Sequence, residues 1–382
     1  MKKTIISIIF FIILLNNVTI SYSTNEEILS SQQEALGISD FIKEATKYTE
    51  ESLGDLNIEE LFSSAITGKF STDNVINSIF SLFGKEIKNT IKVLGTIIVI
   101  IVIHSILKSI SDGLENDSIS QITYYVQYIL IVALIMTNFS EIITMIKESI
   151  QNLVGFSYSL LPLLITLMLT TGSITSASMA QPILLFLITF IGNIVVNILL
   201  PIVLVGTALG IVSKVSDKIQ MDKIAKFMKS GVIWVLGVVL TIFVGVLSLE
   251  GTLSSGVDGI TAKTAKAAVS NFVPVVGKIL GDAVDSVIGC ASILKGAIGI
   301  VGVIVIIGIC IIPIIKLTIL TFAYYASSAI CQPIADEKII SVLSQMGDTF
   351  KTLLALLFSV STMLIIGVTL VVKISNSGLM YR

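Results

Sequence analysis

The chain is 382 residues long, 54% hydrophobic and only 13% charged, with a formal net charge of −2. Soluble domains carry roughly 25% charged residues and the mean hydropathy here is +0.97, so composition excludes an ordinary soluble protein and supplies no basic surface for nucleic acid. The apolar residues lie in blocks of roughly 20, the length at which a helix crosses a hydrocarbon core of about 30 Å.

The first element has the form of an export signal. Lys2 and Lys3 precede the apolar run Ile5 to Leu15, and Ser21-Tyr22-Ser23 offers the small residues of a cleavage site. Residues 1–23 are therefore expected to be a cleaved signal peptide, an uncleaved anchor being the other reading. Residues 24–92 follow and are polar and acidic. Leu36, Phe41, Ile42, Ala45 and Tyr48 predict an amphipathic helix, and NVINSIFSLFGKEI (74–87) predicts another near the membrane surface. A segment this small has no core of its own. It is expected to be helical, extracytoplasmic and docked on something larger.

Membrane spans are predicted near 93–111, 123–145, 153–171, 183–212, 231–250, 296–322 and 352–373. The fold class is therefore all-α, a polytopic bundle of about seven transmembrane helices. The block 183–212 is long for one upright span and contains Asn193, Asn197 and Pro201. Asn193 and Asn197 share a helix face. The block is either one long tilted helix or two half-helices broken near Pro201. The stretch 269–295, interrupted by Lys278, Asp282, Asp285 and Lys295, reads as an amphipathic or re-entrant helix.

Orientation presents a conflict. The segment 213–230 holds five lysines and two aspartates, which the positive-inside rule assigns to the cytoplasm. An exported N-terminus followed by four full spans would put it outside. A hairpin of two half-helices in 183–212 repairs the parity, as would a failure of 123–145 to cross; the hairpin is the favoured reading.

The chain also echoes itself. LLPLLITLMLTTGSITSASMAQPI (160–183) lies on IIPIIKLTILTFAYYASSAICQPI (311–334) without a gap, pairing Pro162 with Pro313, Gln181 with Gln332 and Pro182 with Pro333. Four of the six prolines pair this way. Upstream, LKSISDGL (107–114) resembles LSSGVDGI (253–260). The pattern predicts two membrane repeats, 93–230 and 231–382, each a span, an Asp-Gly turn, a middle segment, a proline-bearing span, a Gln-Pro junction and a further span. Many transporters are built by internal duplication. Proline frees backbone carbonyls that need a partner or water, and the small residues beside each Gln-Pro allow close helix packing. Two kinked helices in a rigid bundle are the plainer reading, and a path between the copies the sharper one. Lys316, three residues after Pro313, is expected to face the bundle, a watery cavity or the interface, because a lysine at mid-span costs about 2.5–3.5 kcal/mol.

Catalysis has little support. The single histidine, His104, lies in an apolar block without an evident carboxylate partner, and Cys290, Cys310 and Cys331 lack metal-ligand spacing and pair into no disulfide framework. No nucleotide motif is present. No cofactor, metal or enzymatic activity is expected.

Several stretches, in order, carry a family resemblance: ELFSSAITGKF (60–70), FGKEIKNTIKVLG (83–95), LLPLLITLMLTTGS (160–173) with AQP after it, and GVDGITAKTAKAAVSNFVPVVGKILGDAVDSVIGCASILKGAIGI (256–300). Over its whole length the chain resembles the stage III sporulation protein AE family of endospore-forming bacteria. The resemblance implies a mother-cell protein in the membrane around the forespore. It also implies partnership with other stage III sporulation proteins, including an ATPase and ring-forming subunits, and with a forespore membrane protein, in a transenvelope channel or secretion-like complex. The N-terminus would face the intermembrane space, and 213–230, if cytoplasmic, would meet the ATPase. The resemblance assigns no residue a role. Lys316, Gln181, Gln332, Pro162, Pro313, Asn193 and Asn197 remain the candidate pore or helix-break residues. A subunit that conducts a small solute and a non-conducting scaffold are the two surviving functions.

Overall fold

Isoleucine and valine dominate the apolar blocks, and both are indifferent helix formers in water. A bilayer changes the balance, because a helix satisfies every backbone N–H and C=O within its own segment. The computed structural model describes the backbone of residues 26–53, 57–68, 117–215, 221–272 and 276–380, with scattered positions between 84 and 110. Side chains are described within 28–50, 57–68, most of 125–214, 221–250 and 286–373. The expected signal peptide (1–23), His104 and most of the 74–87 helix lie outside the described residues.

The elements are α1 (Glu26–Ala35), α2 (Ile38–Leu53), α3 (Ile58–Thr67), α4 (Asp117–Thr170), α5 (Ile174–Ile194), a π-helical turn (Val195–Leu199), α6 (Leu200–Val215), α7 (Asp222–Phe272), α8 (Val276–Cys331) and α9 (Glu337–Met380). Among the described residues there is no strand. Among the described residues five stretches are long and apolar enough to cross a membrane: Tyr128–Thr170, Ile174–Lys214, Asp222–Glu250, Ser286–Cys331 and Glu337–Lys373. The expected span at 93–111 is helical at its described positions.

The difference from seven spans has identifiable causes. The stretches 123–145 and 153–171 lie on one helix, α4, about 81 Å long at 1.5 Å per residue. Between them Glu141, Lys147, Glu148, Gln151 and Asn152 are exposed, while Ile142, Ile146, Ile150 and Leu153 are buried on the opposite face. The polar stretch is a helix face and not a loop. The favoured hairpin in 183–212 is absent. Instead α5, the π turn and α6 form one continuous rod, and the N–H of Leu200 bonds the carbonyl of Val195. The π turn lies directly before Pro201 and absorbs the disruption that proline brings to a regular helix. With 123–145 and 153–171 on one helix, the number of spans expected before 213–230 falls from four to three.

Two more expectations are corrected. The stretch 269–295 is not a separate helix: 269–272 end α7, 273–275 lie outside the described residues, and 276–295 are the first third of α8, where Lys295 is fully buried and engaged in an interaction. Residues 253–260, expected to hold an Asp-Gly turn, are helical within α7.

The core is organised around α8. Ala291 to Ile306 is buried throughout except half-buried Ile300, with α9, α4 and the three N-terminal helices packed round it. Glycines let the helices approach closely: a Cβ added to Gly302 would lie 2.7 Å from Leu160 of α4, and one added to Gly299 would overlap Val372 of α9. α4 ends in a Schellman motif, Ser173 N–H to Met168 O at 3.0 Å and Gly172 N–H to Leu169 O at 3.0 Å, with Gly172 at φ +85°.

The bundle has two chemically different ends. From one end to mid-bundle, α1–α3 dock along α8 and α4: Gln32 Nε2 donates to Val287 O at 3.1 Å near the start of the apolar stretch of α8, and the rings of Phe41 and Tyr48 lie 6.0 and 5.7 Å from Phe156 in the middle of α4. Asn57 caps α3 by accepting from the N–H groups of Glu59 and Glu60. At the other end lies the α6–α7 connection, where Lys214 Nζ meets Asp222 Oδ2 at 2.5 Å. The helix α8 runs antiparallel to α9, with Tyr325 beside Asp348 at the lysine-rich end and Gly299 beside Val372 toward the other.

Candidate functional site

The residues singled out by the repeat do not converge. The first copy turns at Thr171–Ser173 and carries Gln181 and Pro182 inside α5. In the second copy the helix runs on to Cys331, and Gln332 and Pro333 form the exposed turn before α9. Gln181 and Gln332 therefore occupy different structural environments. Pro162 and Pro313 both sit within continuous helices. Leu160 of α4 meets Gly302 of the antiparallel α8, so Pro313 is displaced from Pro162 by between three and four turns, about 20 Å.

Lys316 has found a partner that sequence spacing could not reveal. Its Nζ lies 3.1 Å from Glu141 Oε1 of α4; the lysine side chain is 26% exposed and the carboxylate 70%. This is a half-exposed ion pair, neither sealed in the core nor reaching the interface alone.

Glu141 begins a polar stripe. Glu141, Thr144, Lys147, Glu148, Gln151 and Asn152 are all exposed on α4, and their spacing of three to four residues keeps them on one face. Next to it runs α5. Tyr158 Oη and Thr189 Oγ1 share a hydrogen bond of 2.6 Å, and a Cβ added to Gly192 would lie 2.6 Å from Val154. One and two turns beyond Thr189 stand Asn193 and Asn197, both exposed, with Asn197 Nδ2 donating to Asn193 Oδ1 at 3.2 Å. The two lines make a polar furrow along the α4–α5 seam. Its depth follows from α8: Glu141 is opposite Lys316 and Leu160 opposite Gly302, and the intervening VIVIIGICIIPII (303–315) is wholly apolar. The furrow thus lies beside the most hydrophobic part of the central helix. Facing lipid there, each charge would cost about 2.5–3.5 kcal/mol.

A second polar cluster, at the lysine-rich end, was not foreseen. Lys229 Nζ donates to Thr349 Oγ1 at 2.6 Å and to Gln345 O at 3.4 Å. Thr349 Oγ1 and Thr207 Oγ1 are 3.1 Å apart, and Gln345 Nε2 donates to Thr207 O at 3.1 Å. Gly210 opens the space for Gln345, since any Cβ there would overlap its amide. Beside them Tyr325 Oη donates to Asp348 Oδ1 at 2.6 Å. The cluster ties α6, α7, α8 and α9 together. By sequence Lys229 is one of the five lysines of 213–230. The available signal was its position as the last lysine before the apolar block, together with Thr207–Gly210 and Gln345–Thr349 at one-turn spacing inside apolar sequence.

Among the described residues no group of His, Cys, Asp and Glu could hold a metal ion. The three cysteines are buried and unbridged.

The family described as "Stage III sporulation protein AE (spore_III_AE)" matches residues 56–375. A curated relative from Bacillus subtilis (strain 168), "Stage III sporulation protein AE", is 32% identical over 313 residues, covering 82% of this chain and 78% of the relative. No solved structure matches.

Proposed function

The chain belongs to the stage III sporulation protein AE family, and from that membership we propose that it is the polytopic membrane subunit of a transenvelope complex joining mother cell and forespore, and that it carries a small hydrophilic solute. The family ties it to sporulation, and its long apolar helices make it a membrane protein. The finer reading rests chiefly on one observation. Charged and amide side chains of α4 and α5 lie exposed beside the apolar stretch 303–315, with half-buried Lys316 paired to Glu141 among them. Bilayer proteins keep such groups at bundle interiors or water-filled cavities. The chain performs no chemistry of its own in this reading.

Polarity of the two ends supports a placement in the mother-cell membrane around the forespore. The acidic helices α1–α3 and the lysine-rich α6–α7 connection are at opposite ends of the bundle. With the positive end inside, α1–α3 face the intermembrane space, where a forespore membrane protein and ring-forming stage III subunits would meet them. The lysine-rich end faces the mother-cell cytoplasm and offers a place for the complex's ATPase.

A scaffold without a path is favoured by a different observation: α8 fills the centre of the bundle, and among the described residues no lumen runs along its axis. Solute uptake into proteoliposomes holding the purified full-length protein separates the two. Uptake above protein-free vesicles supports conduction. No uptake, in protein that still binds its stage III partners, supports the scaffold.

A further inference from the structure

Among the described residues Ala291 to Ile306 of α8 is packed on all sides and leaves no path through the middle, with Ser292 and Lys295 sealed in that core. The exposed charged and amide groups lie instead on the perimeter, along the α4–α5 seam. We propose that this furrow is one wall of a water-filled path for small hydrophilic solutes, closed on its open side by a second copy of the chain. The proposal rests on the conducting reading above and supplies its location.

Three observations carry it. The charged and amide residues of α4 from Glu141 to Asn152 recur at helical spacing on the exposed face, while the opposite face is Ile142, Ile146, Ile150 and Leu153, all buried, with buried Ser149 donating to Met145 O. The second helix brings amides to the same side: the Tyr158–Thr189 bond fixes the seam, and Asn193 and Asn197 continue the line from Thr189. The π turn at Val195–Leu199 makes the local winding that of a π-helix where Asn197 sits, and such turns recur at functional sites in membrane and soluble helices.

The identity of the covering surface follows from charge. The wall bears both signs, Glu141 and Glu148 against Lys147 and Lys316. A two-fold-related copy presenting the same face is self-complementary, whereas a lipid surface offers these groups no partner. Mixed sign with interspersed amides also suits a hydrophilic solute without strong charge selection.

Accessible-cysteine labelling tests the proposal in the full-length chain, with Cys290, Cys310 and Cys331 replaced by alanine, in membranes from sporulating cells. Gln151→Cys and Asn193→Cys probe the furrow, and Thr144→Cys repeats the probe with a near-isosteric change. Ile242→Cys is the lipid-facing control; it is 55% exposed on α7, and its neighbour Phe243 packs at Gly367 of α9. A charged methanethiosulfonate reacts with thiolate in water, so the furrow cysteines are expected to react at least about tenfold faster than the control. A bifunctional thiol reagent is expected to join two copies through Gln151→Cys. Furrow rates equal to the control at all three positions would overturn the wet wall. Labelling without a homodimer would overturn the second copy as its cover. Labelling reports water and not flux, so a wet furrow in a protein that fails solute uptake sinks the conducting reading and leaves the furrow standing. Uptake with an unreactive furrow does the reverse.

Discussion

Gly155 shows how much one missing methyl can hold in place. A Cβ there would lie 2.9 Å from Tyr48 Oη, so the phenol of α2 rests directly on the backbone of α4. Gly155→Ala is expected to cost about 1–3 kcal/mol by overpacking and to loosen α1–α3, read as faster proteolysis of residues 26–67. Tyr48→Phe in the same chain removes the obstructing oxygen and restores protection. Burial, aided by the Glu44 carboxylate, raises the Tyr48 pKa above its ordinary 10.0. The neutral phenol is thus the form that the docked state favours, and docking is complete below that pH and weakens as pH rises past it. At Lys316 the half-exposed pair gives a sharper choice. If Glu141 faces water, Lys316→Leu leaves a hydrated carboxylate, and the protein accumulates normally while spore yield falls. If Glu141 faces lipid, the orphaned carboxylate costs about 2.5–3.5 kcal/mol, and protein level falls with spore yield. Wild-type level and wild-type yield together remove Lys316 from the functional residues.

Helices α6, α7, α8 and α9 depend on one another through the Lys229 cluster. Lys229→Met is expected to lower stability by about 1.5–3 kcal/mol, the range for hydrogen bonds to a charged group. Thermal unfolding in detergent measures it, and Lys226→Met, an exposed neighbour, serves as the silent control. The helical class and most apolar blocks were legible in the sequence because 20-residue hydrophobic runs have few alternatives in a bilayer. The number of rods was not. The residues from Ser140 to Asn152 are polar enough to pass for a loop, and only their one-sided spacing, with Ile142, Ile146 and Ile150 between, marks a continuous helix. Pro201 read as a break because a π turn leaves no mark in composition. The Lys316–Glu141 pair joins positions 175 residues apart, a separation that local pattern cannot bridge. The repeat misled for a related reason: similar residues at Gln181 and Gln332 were folded into a helix and a turn by different neighbours.

At the scale of the whole molecule, the proposed topology can be checked at the lysine-rich end. Ser213 and Ser230 flank the lysine-rich connection. As cysteines in a chain lacking the native three, both are expected to resist an impermeant thiol reagent in intact cells and to react once the membrane is opened. Reaction in intact cells would put this end outside and reverse the placement of α1–α3. The residues 24–53 should show the opposite pattern toward added protease.

The long helices also act as rulers. From Glu250, where the apolar stretch of α7 ends, the helix continues to Phe272, about six turns or 33 Å, and α8 begins two to three turns before Ser286. A helix of that length is stiff, and its tip stands at a height counted in residues. Whatever surface faces this end of the protein is touched at a spacing written into the chain. Deleting seven residues between Glu250 and Phe272 would lower the tip by about 10 Å while keeping nearly the same azimuth. Deleting five would lower it less and turn it through about 140°. Comparing the two shortened chains for spore yield would tell whether height or facing is what the tip must get right.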